Sequence, residues 1–329
     1  MTERPDLLVI ADAADPELDA LESRALLRRL HPASQGLAAA LAEADAVVVW
    51  NCVVPGFEAA FTEALAATGG LPRLRWVHTT SAGPDRLVFE ALVTHPAVLT
   101  CSRGVLDVDV AEYVVACVLA LLKDVPATVR LQGASRWRHR RTRSLAGTRG
   151  LVVGAGSIGT ATGRLLHALG VAVDGVVREP REAAEPFGAL HAPAELASIV
   201  GEYDVVVVTA PLTVATEGLV SAEVIAAMKA SAVFVNVGRG HVVDEAALLA
   251  AVKRGRLSGV ALDVFTVEPL PADSPWWSEP RAIVSPHLAG DSEDFLQRLQ
   301  ALLLEQLARF AAGEELLHVV DGQRGYATS

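Results

Sequence analysis

The stretch 149–170, RGLVVGAGSIGTATGRLLHALG, constrains this chain more than any other. An apolar run at 151–153 ends in Gly154, Gly156 and Gly159, and apolar residues at helical spacing (Ile158, Ala161, Leu165, Leu166, Leu169) follow at once. The pattern predicts a strand, a tight turn and a helix. In such a turn the first glycine makes the bend, the second lets backbone approach a pyrophosphate, and the third lets helix pack on strand. The helix N-terminus then offers unpaired N–H groups to that anion. The bland alternative is an ordinary βα turn in some other α/β protein, so the flanking chain has to decide.

Upstream, strand-length apolar runs at 7–11, 46–50 and 74–77 alternate with helical patterns at 17–30, 37–42 and 57–67. That alternation predicts a small parallel sheet with helices on its faces. The segment HTTSAGPDRL (78–87) follows the third run directly, where open α/β sheets carry ligand loops. Consecutive N–H groups at Ser81, Ala82 and Gly83 suit a carboxylate, with a plain turn as the alternative. A mostly apolar helix is expected at 109–122, buried in the fold or against a partner subunit. Arg136, Arg138, Arg140, Arg141 and Arg143, interleaved with Trp137 and His139, read as a solvated connector or a cationic rim over a cofactor cleft.

Downstream, the second strand of the glycine unit runs over 171–177. An NAD-type fingerprint places an acidic residue at the end of that strand to hold the ribose hydroxyls. Here Asp174 lies inside the strand, and the end reads Val177, Arg178, Glu179. Arg178 points to a 2′-phosphate and favours NADP over NAD, with Glu179 as the competing ribose acceptor. His191 reads as structural. The run VVVV at 205–208 leads into Ala210, Pro211, Leu212 and Thr213, a loop expected to face the cofactor, and Ser221 is placed to cap the next helix. Strands at 233–237 and 259–264, separated by a helix at 244–252, complete most of a doubly wound sheet. Arg239 (GRG), Glu268 (VEPL) and His287 (SPHLAG) each fall in a loop after a strand. Singly they read as an exposed arginine, a loop carboxylate and a capping histidine; together they suit an anion clamp, a carboxylate orienter and a proton-transfer imidazole. A last helical pattern at 291–310 returns the chain toward its N-terminal half.

At 329 residues the chain exceeds what one core usually serves, so two domains are expected. A net charge of −11 argues against nucleic acid or an anionic membrane as the main partner. Cys52, Cys101 and Cys117 show no CxxC spacing and fit buried thiols in a reducing compartment, with no metal site. With no signal-peptide pattern and no apolar run of membrane length, the expectation is a soluble, cytoplasmic protein.

Seven segments in order resemble the D-isomer-specific 2-hydroxyacid dehydrogenase family: TTSAGPDRL (79–87), AEYVVA (111–116), the glycines of 154–159, TAPLTVAT (209–216), VNVGRG (235–240), LDVFTVEPLP (262–271) and SPHLAG (285–290). The resemblance covers nearly the whole chain. It implies an α/β protein with two Rossmann-like domains. A doubly wound parallel sheet for the cofactor occupies 101–287, inserted into a smaller flavodoxin-like substrate domain of 1–100 and 288–329. The two crossings would act as a hinge. It implies hydride transfer between a nicotinamide cofactor and a small 2-ketoacid or D-2-hydroxyacid. Arg239 would grip the substrate carboxylate, assisted by backbone at Ala82 and Gly83. His287 would exchange a proton with the substrate oxygen, and Glu268 would orient His287. The cofactor would lie against Gly154, Gly156, Ser157, Ile158 and Gly159, with Arg178 near its ribose. Ala210, Pro211, Thr216 and Val237 would line it, and Asp263 would sit near the nicotinamide carboxamide. The family's usual assembly implies a homodimer through the cofactor domains. Arg178 resembles the glyoxylate/hydroxypyruvate reductase type within the family. A corepressor-like nucleotide sensor is opposed by retention of Arg239, Glu268 and His287. A formate-type enzyme is opposed by Glu268, and a phosphite-type dehydrogenase stays open. Trp50 is expected in the core, while Trp276 and Trp277 are read as core, interface or pocket wall.

Overall fold

Apolar strand runs and their flanking helices gather the chain into two compact units, residues 1–106 with 292–329, and residues 107–291. The computed structural model describes residues 4–11, 18–31, 34–50, 56–179, 181–322 and 324–327. The first unit opens with β1 (Asp6–Ile10), β2 (Leu26–Leu30), α1 (Leu37–Glu43), β3 (Ala46–Val49), α2 (Phe57–Thr68), β4 (Trp76–Thr79), α3 (Glu90–Val93) and β5 (Val98–Cys101). These five strands form one parallel sheet in the order β2-β1-β3-β4-β5, a flavodoxin-like arrangement. β3 is buried at every position, which is why it reads as an unbroken run rather than an alternating one. β4 lies two residues later than the expected strand at 74–77: His78 and Thr79, read as the start of the loop, belong to the strand and are buried with Trp76 and Val77.

The helical expectation over 17–30 fails. Glu17 lies outside the described residues; Asp19–Ser23 is one 3₁₀ turn, and Leu26–Leu30 is a strand. Leu18 and Leu21, three apart, satisfy a 3₁₀ turn as well as an α-helix. β2 then pairs along β1 from Asp6↔Leu26 to Ile10↔Leu30, and Arg28 Nε lies 2.7 Å from Asp6 Oδ1. Tertiary pairing overrides local periodicity here.

The second unit contains α4 (Asp107–Leu122), α5 (Val125–Gly133), β6 (Arg149–Val153), α6 (Ser157–Ala168), β7 (Ala172–Val176), β8 (Phe187–His191) and α7 (Leu196–Ile199). It continues with β9 (Val205–Val208), α8 (Ala222–Ala227), β10 (Val233–Asn236), α9 (Glu245–Lys253), β11 (Gly259–Leu262) and β12 (Ala282–Val284). Seven parallel strands run in the order β12-β11-β10-β9-β6-β7-β8, so the winding reverses between β6 and β9. Loops at the C-terminal ends of those two strands flank the crevice where doubly wound sheets bind ligands. α4 buries Val110, Ala111, Val114, Cys117, Val118 and Leu122. α5 has no buried residue, so it carries no apolar stripe for a sequence pattern to find. Trp137 is fully exposed, while Arg140 pairs with Asp124.

α10 (Phe295–Ala312) returns to the first unit, where Leu299, Leu303, Leu307 and Phe310 pack with Leu7, Val9, Val48 and Trp76. The opposite sheet face, with Leu8, Ile10, Val47 and Val49, packs with Leu41, Phe57 and Phe61 of α1 and α2. Trp50 is buried and meets Phe295 edge-on at 6.2 Å. A hairpin of β13 (Val320–Asp321) and β14 (Tyr326–Ala327) ends the described chain. Cys101 and Cys117 are buried; Cys52 is outside the described residues. Among the described residues no helix is long and apolar enough to cross a membrane, and no cluster has the makings of a metal site.

Candidate active site

Gly154 ends β6 with φ +106°, and a Cβ there would lie 2.5 Å from the Ala210 nitrogen. A Cβ on Gly159 would lie 2.2 Å from the Gly154 carbonyl oxygen, so only glycine lets α6 start this close to the strand. Gly156 differs: it is exposed, and a Cβ would meet nothing within 4 Å. The open backbone at Gly156 lies at the N-terminus of a twelve-residue helix, beside half-exposed Ser157 and Ile158, and fits a pyrophosphate. Thr209 Oγ1 donates to the Gly154 carbonyl at 2.7 Å, tying this turn to the end of β9. Ala210 and Pro211 follow β9, and Thr216 Oγ1 steadies their loop by donating to the Pro211 carbonyl at 2.6 Å. Val237 follows β10, its N–H on the Val208 carbonyl at 3.1 Å.

β7 ends at Val176, and Val177 is buried with its N–H on the His191 carbonyl at 3.0 Å. Arg178 and Glu179 then emerge into solvent. Asp174 is inside the strand, where it accepts from Tyr203 Oη at 2.8 Å and Arg149 Nη2 at 3.1 Å. It is a structural carboxylate.

Arg239 sits in an extended conformation after β10. Asn236 Nδ2 donates to its carbonyl at 3.1 Å, and Asn236 Oδ1 accepts from Gly238 N at 3.1 Å, so one amide side chain shapes the whole GRG turn. A Cβ on Gly240 would fall 2.0 Å from the Phe265 carbonyl carbon. The glycine thus permits backbone contact between the loop of Arg239 and the loop of Glu268.

Glu268 uses both carboxylate oxygens. Oε1 accepts from Phe265 N at 2.9 Å, and Oε2 accepts from His287 Nδ1 at 3.0 Å. His287 is held at φ +56°, unusual for a residue with a side chain. Its N–H donates to the Asp263 carbonyl at 2.9 Å. The buried Asp263 carboxylate accepts from Leu288 N at 3.0 Å, Ala289 N at 2.9 Å and Ser285 Oγ at 2.6 Å. These bonds over-determine the His287 turn and offset a backbone strain of about 1–3 kcal/mol. The imidazole, 46% exposed, points its Nε2 edge away from Glu268 and is open to a substrate.

Tyr113 and Glu245 have no role in the sequence reading, yet both hold loops of this arrangement. Tyr113 on α4 bonds the Ser285 hydroxyl, and burial raises the phenol's pKa above its usual range. Burial likewise pushes the neighbouring Cys117 thiol up to about 11, so it is an inert packing group. Glu245, at the start of α9, accepts from Thr266 N at 2.8 Å and Trp276 Nε1 at 2.9 Å, bracing the turn that carries Glu268. Only the SPH context of Ser285 gave a signal, because partners 21 or more residues apart leave no local pattern. Trp276 is buried and Trp277 exposed. In the first unit, Ser81, Ala82 and Gly83 are half-exposed between buried Thr80 and buried Pro84.

A model of the D-isomer specific 2-hydroxyacid dehydrogenase NAD binding domain matches residues 115–289. Glyoxylate/hydroxypyruvate reductase B of Pectobacterium carotovorum subsp. carotovorum is 33% identical over 267 residues, 77% of this chain and 80% of that protein. A D-isomer specific 2-hydroxyacid dehydrogenase from Xanthobacter autotrophicus Py2, solved with NADPH and MES, superposes with a TM-score of 0.82 at 32% identity, covering 98% of this chain and 100% of that one. An NADPH-dependent glyoxylate/hydroxypyruvate reductase from Sinorhizobium meliloti, solved with NADP and sulfate, gives a TM-score of 0.82 at 28% identity, covering 98% of this chain and 100% of the other.

Proposed function

The chain belongs to the D-isomer specific 2-hydroxyacid dehydrogenase family, whose members move a hydride between NAD(P) and a small 2-ketoacid or 2-hydroxyacid, and we propose that it does so with NADP(H) on Arg239, Glu268 and His287. The observation that carries the proposal is the 3.0 Å bond between His287 Nδ1 and Glu268 Oε2, on a turn pinned by Asp263. The glycine turn and α6 N-terminus would hold the pyrophosphate, with Ala210, Pro211, Thr216 and Val237 in the adjoining loops and Asp263 near the nicotinamide carboxamide. Exposed Arg178 would take the 2′-phosphate, in keeping with the NADP(H) bound by the Xanthobacter and Sinorhizobium proteins.

When bound, the cofactor supplies the hydride for the substrate's C2 carbon. Arg239 pairs with the substrate carboxylate and draws charge from the adjacent carbonyl. Backbone N–H groups at Ala82 and Gly83 are suited to a substrate carboxylate. His287 donates a proton from Nε2 to the carbonyl oxygen and recovers it from solvent, while Glu268 fixes the ring through Nδ1. Residues 1–106 with 292–329 serve the substrate, and residues 107–291 serve the cofactor. We place the enzyme in the cytoplasm, where reduced nicotinamide is available, as a homodimer through the cofactor units.

The test is a spectrophotometric panel of NADPH and NADH, each with glyoxylate, hydroxypyruvate, pyruvate, phenylpyruvate and a branched 2-ketoacid. Oxidation of NADPH with a small ketoacid is expected. A preference for NADH would overturn the role of Arg178. Cofactor binding without turnover of any ketoacid would favour the sensor reading.

A further inference from the structure

His78 lies on β4, wholly buried, and has no place in the chemistry above. Both ring nitrogens are engaged: Nδ1 is 2.7 Å from Thr100 Oγ1 and Nε2 is 3.0 Å from Ser102 Oγ. Trp76 Nε1 donates to the same Thr100 oxygen at 2.8 Å, and Ser102 Oγ reaches the Thr79 carbonyl at 3.2 Å. The neutral ring protonated at Nε2 satisfies all four contacts in one direction: Trp76 to Thr100, Thr100 to Nδ1, Nε2 to Ser102, Ser102 to Thr79. The reverse tautomer would turn the Ser102 proton onto the ring, leave the Thr79 carbonyl without it, and send the Thr100 hydroxyl to a Val77 carbonyl 3.5 Å away. Burial keeps the ring neutral, lowering its pKa to about 3.

Ser102 also grips the following loop through its backbone, its N–H donating to the Ser81 carbonyl at 3.0 Å. Because a trans peptide is planar, a Ser81 carbonyl turned toward Ser102 directs the Ala82 N–H the opposite way, off β5. Ser81 N is tied back to Thr79 Oγ1 at 3.2 Å, completing a frame around residues 79–81.

We infer that His78 is a positioning residue for 2-ketoacid binding: through Ser102 it fixes the Ser81 peptide and so aims the Ala82 N–H at the substrate carboxylate. This rests on the proposed role of Ala82 and Gly83. His78→Leu removes both ring contacts, and His78→Gln keeps a donor toward Ser102. The KM for glyoxylate and hydroxypyruvate should rise about tenfold in His78→Leu, with kcat within about twofold and the NADPH dissociation constant unchanged; His78→Gln should recover most of the loss. A purely structural histidine would lower the active fraction and the melting temperature but leave KM alone, and that result overturns the inference. Hydrogen exchange of the amides at 81–83 provides a readout independent of turnover. Faster exchange there in His78→Leu, with residues 107–291 unaltered, supports the inference; unchanged exchange overturns it. Wild-type protein that turns over no ketoacid removes the proposed function, and amide exchange still decides whether His78 orders the loop. If His78→Leu does not fold, Ser102→Ala, which cuts the same chain one bond later, carries both measurements.

Discussion

At His287 a strained backbone and a hydrogen-bonded ring meet, and separate residues govern the two. Glu268 sets the ring, while Asp263 sets the backbone through Leu288 N and Ala289 N. His287→Ala is therefore expected to lower kcat by about 10²–10⁴ while leaving NADPH affinity, measured by isothermal titration, near wild type. Equal loss of both would remove its role as proton donor. Arg239→Ala should chiefly raise the KM for 2-ketoacids, and unchanged kinetics would exclude the clamp. His78 gives a pH prediction. Its pKa falls from 6.5 in the unfolded chain to about 3 in the fold, so below pH 6.5 the unfolded state binds a proton that the fold refuses. Stability from this group is complete above pH 6.5 and declines by about 1.4 kcal/mol per pH unit as the pH drops toward 3. Denaturant melts of His78→Gln across that range should show a slope shallower by about this amount; parallel slopes would contradict a buried neutral imidazole. Glu268 and His287, which the structure pairs, were legible because each lies in a short motif after a strand. Tyr113 and Glu245 were not, since their partners are brought close only by folding.

Among the elements, those built on continuous apolar runs were the ones the sequence disclosed. The strands expected at 205–208 and 233–237 are observed at 205–208 and 233–236, and the glycine turn lies where its pattern puts it, because a parallel strand buried on both faces needs no alternation to be recognised. β2 escaped notice for the opposite reason: it is a half-exposed edge strand whose arginines answer Asp6 and Asp19, so its residues carry no core signature. The helix starts yield two tests of different size. Ser221 Oγ accepts from Val224 N at 3.4 Å at the start of α8, and Ser221→Ala should cost about 1 kcal/mol by denaturant melting. Gly159→Ala forces a Cβ to 2.2 Å from the Gly154 carbonyl oxygen, which a backbone cannot yield cheaply. It is expected to abolish NADPH binding or folding, and an alanine variant with normal cofactor affinity would show that the turn relaxes.

For the whole molecule, each unit has apolar clusters of its own among the described residues. That of the seven-stranded sheet draws on residues between 151 and 284, and two clusters of the five-stranded sheet draw on the first unit. Residues 107–291 are contiguous in sequence and contain their own sheet, caps and core. Expressed alone, this segment is expected to unfold cooperatively and bind NADPH but reduce no ketoacid; a fragment that does not fold would show that its stability depends on the rest of the chain.

Ala210 has a consequence for how such a protein changes over generations. Its backbone fills the space where side chains on Gly154 and on Gly238 would stand, at 2.5 and 2.6 Å. The turn proposed to receive the cofactor and the turn that bears Arg239 are thus spaced from a single residue, one from its nitrogen and the other from its carbonyl oxygen. Drift in the backbone of that residue would displace both at once, and a correction to one would spoil the other. Arg178, out in solvent beyond β7, carries no such double duty. If Arg178 takes the 2′-phosphate as proposed, a lineage can exchange one coenzyme for the other there by small independent steps, while the spacing around Ala210 must be inherited whole.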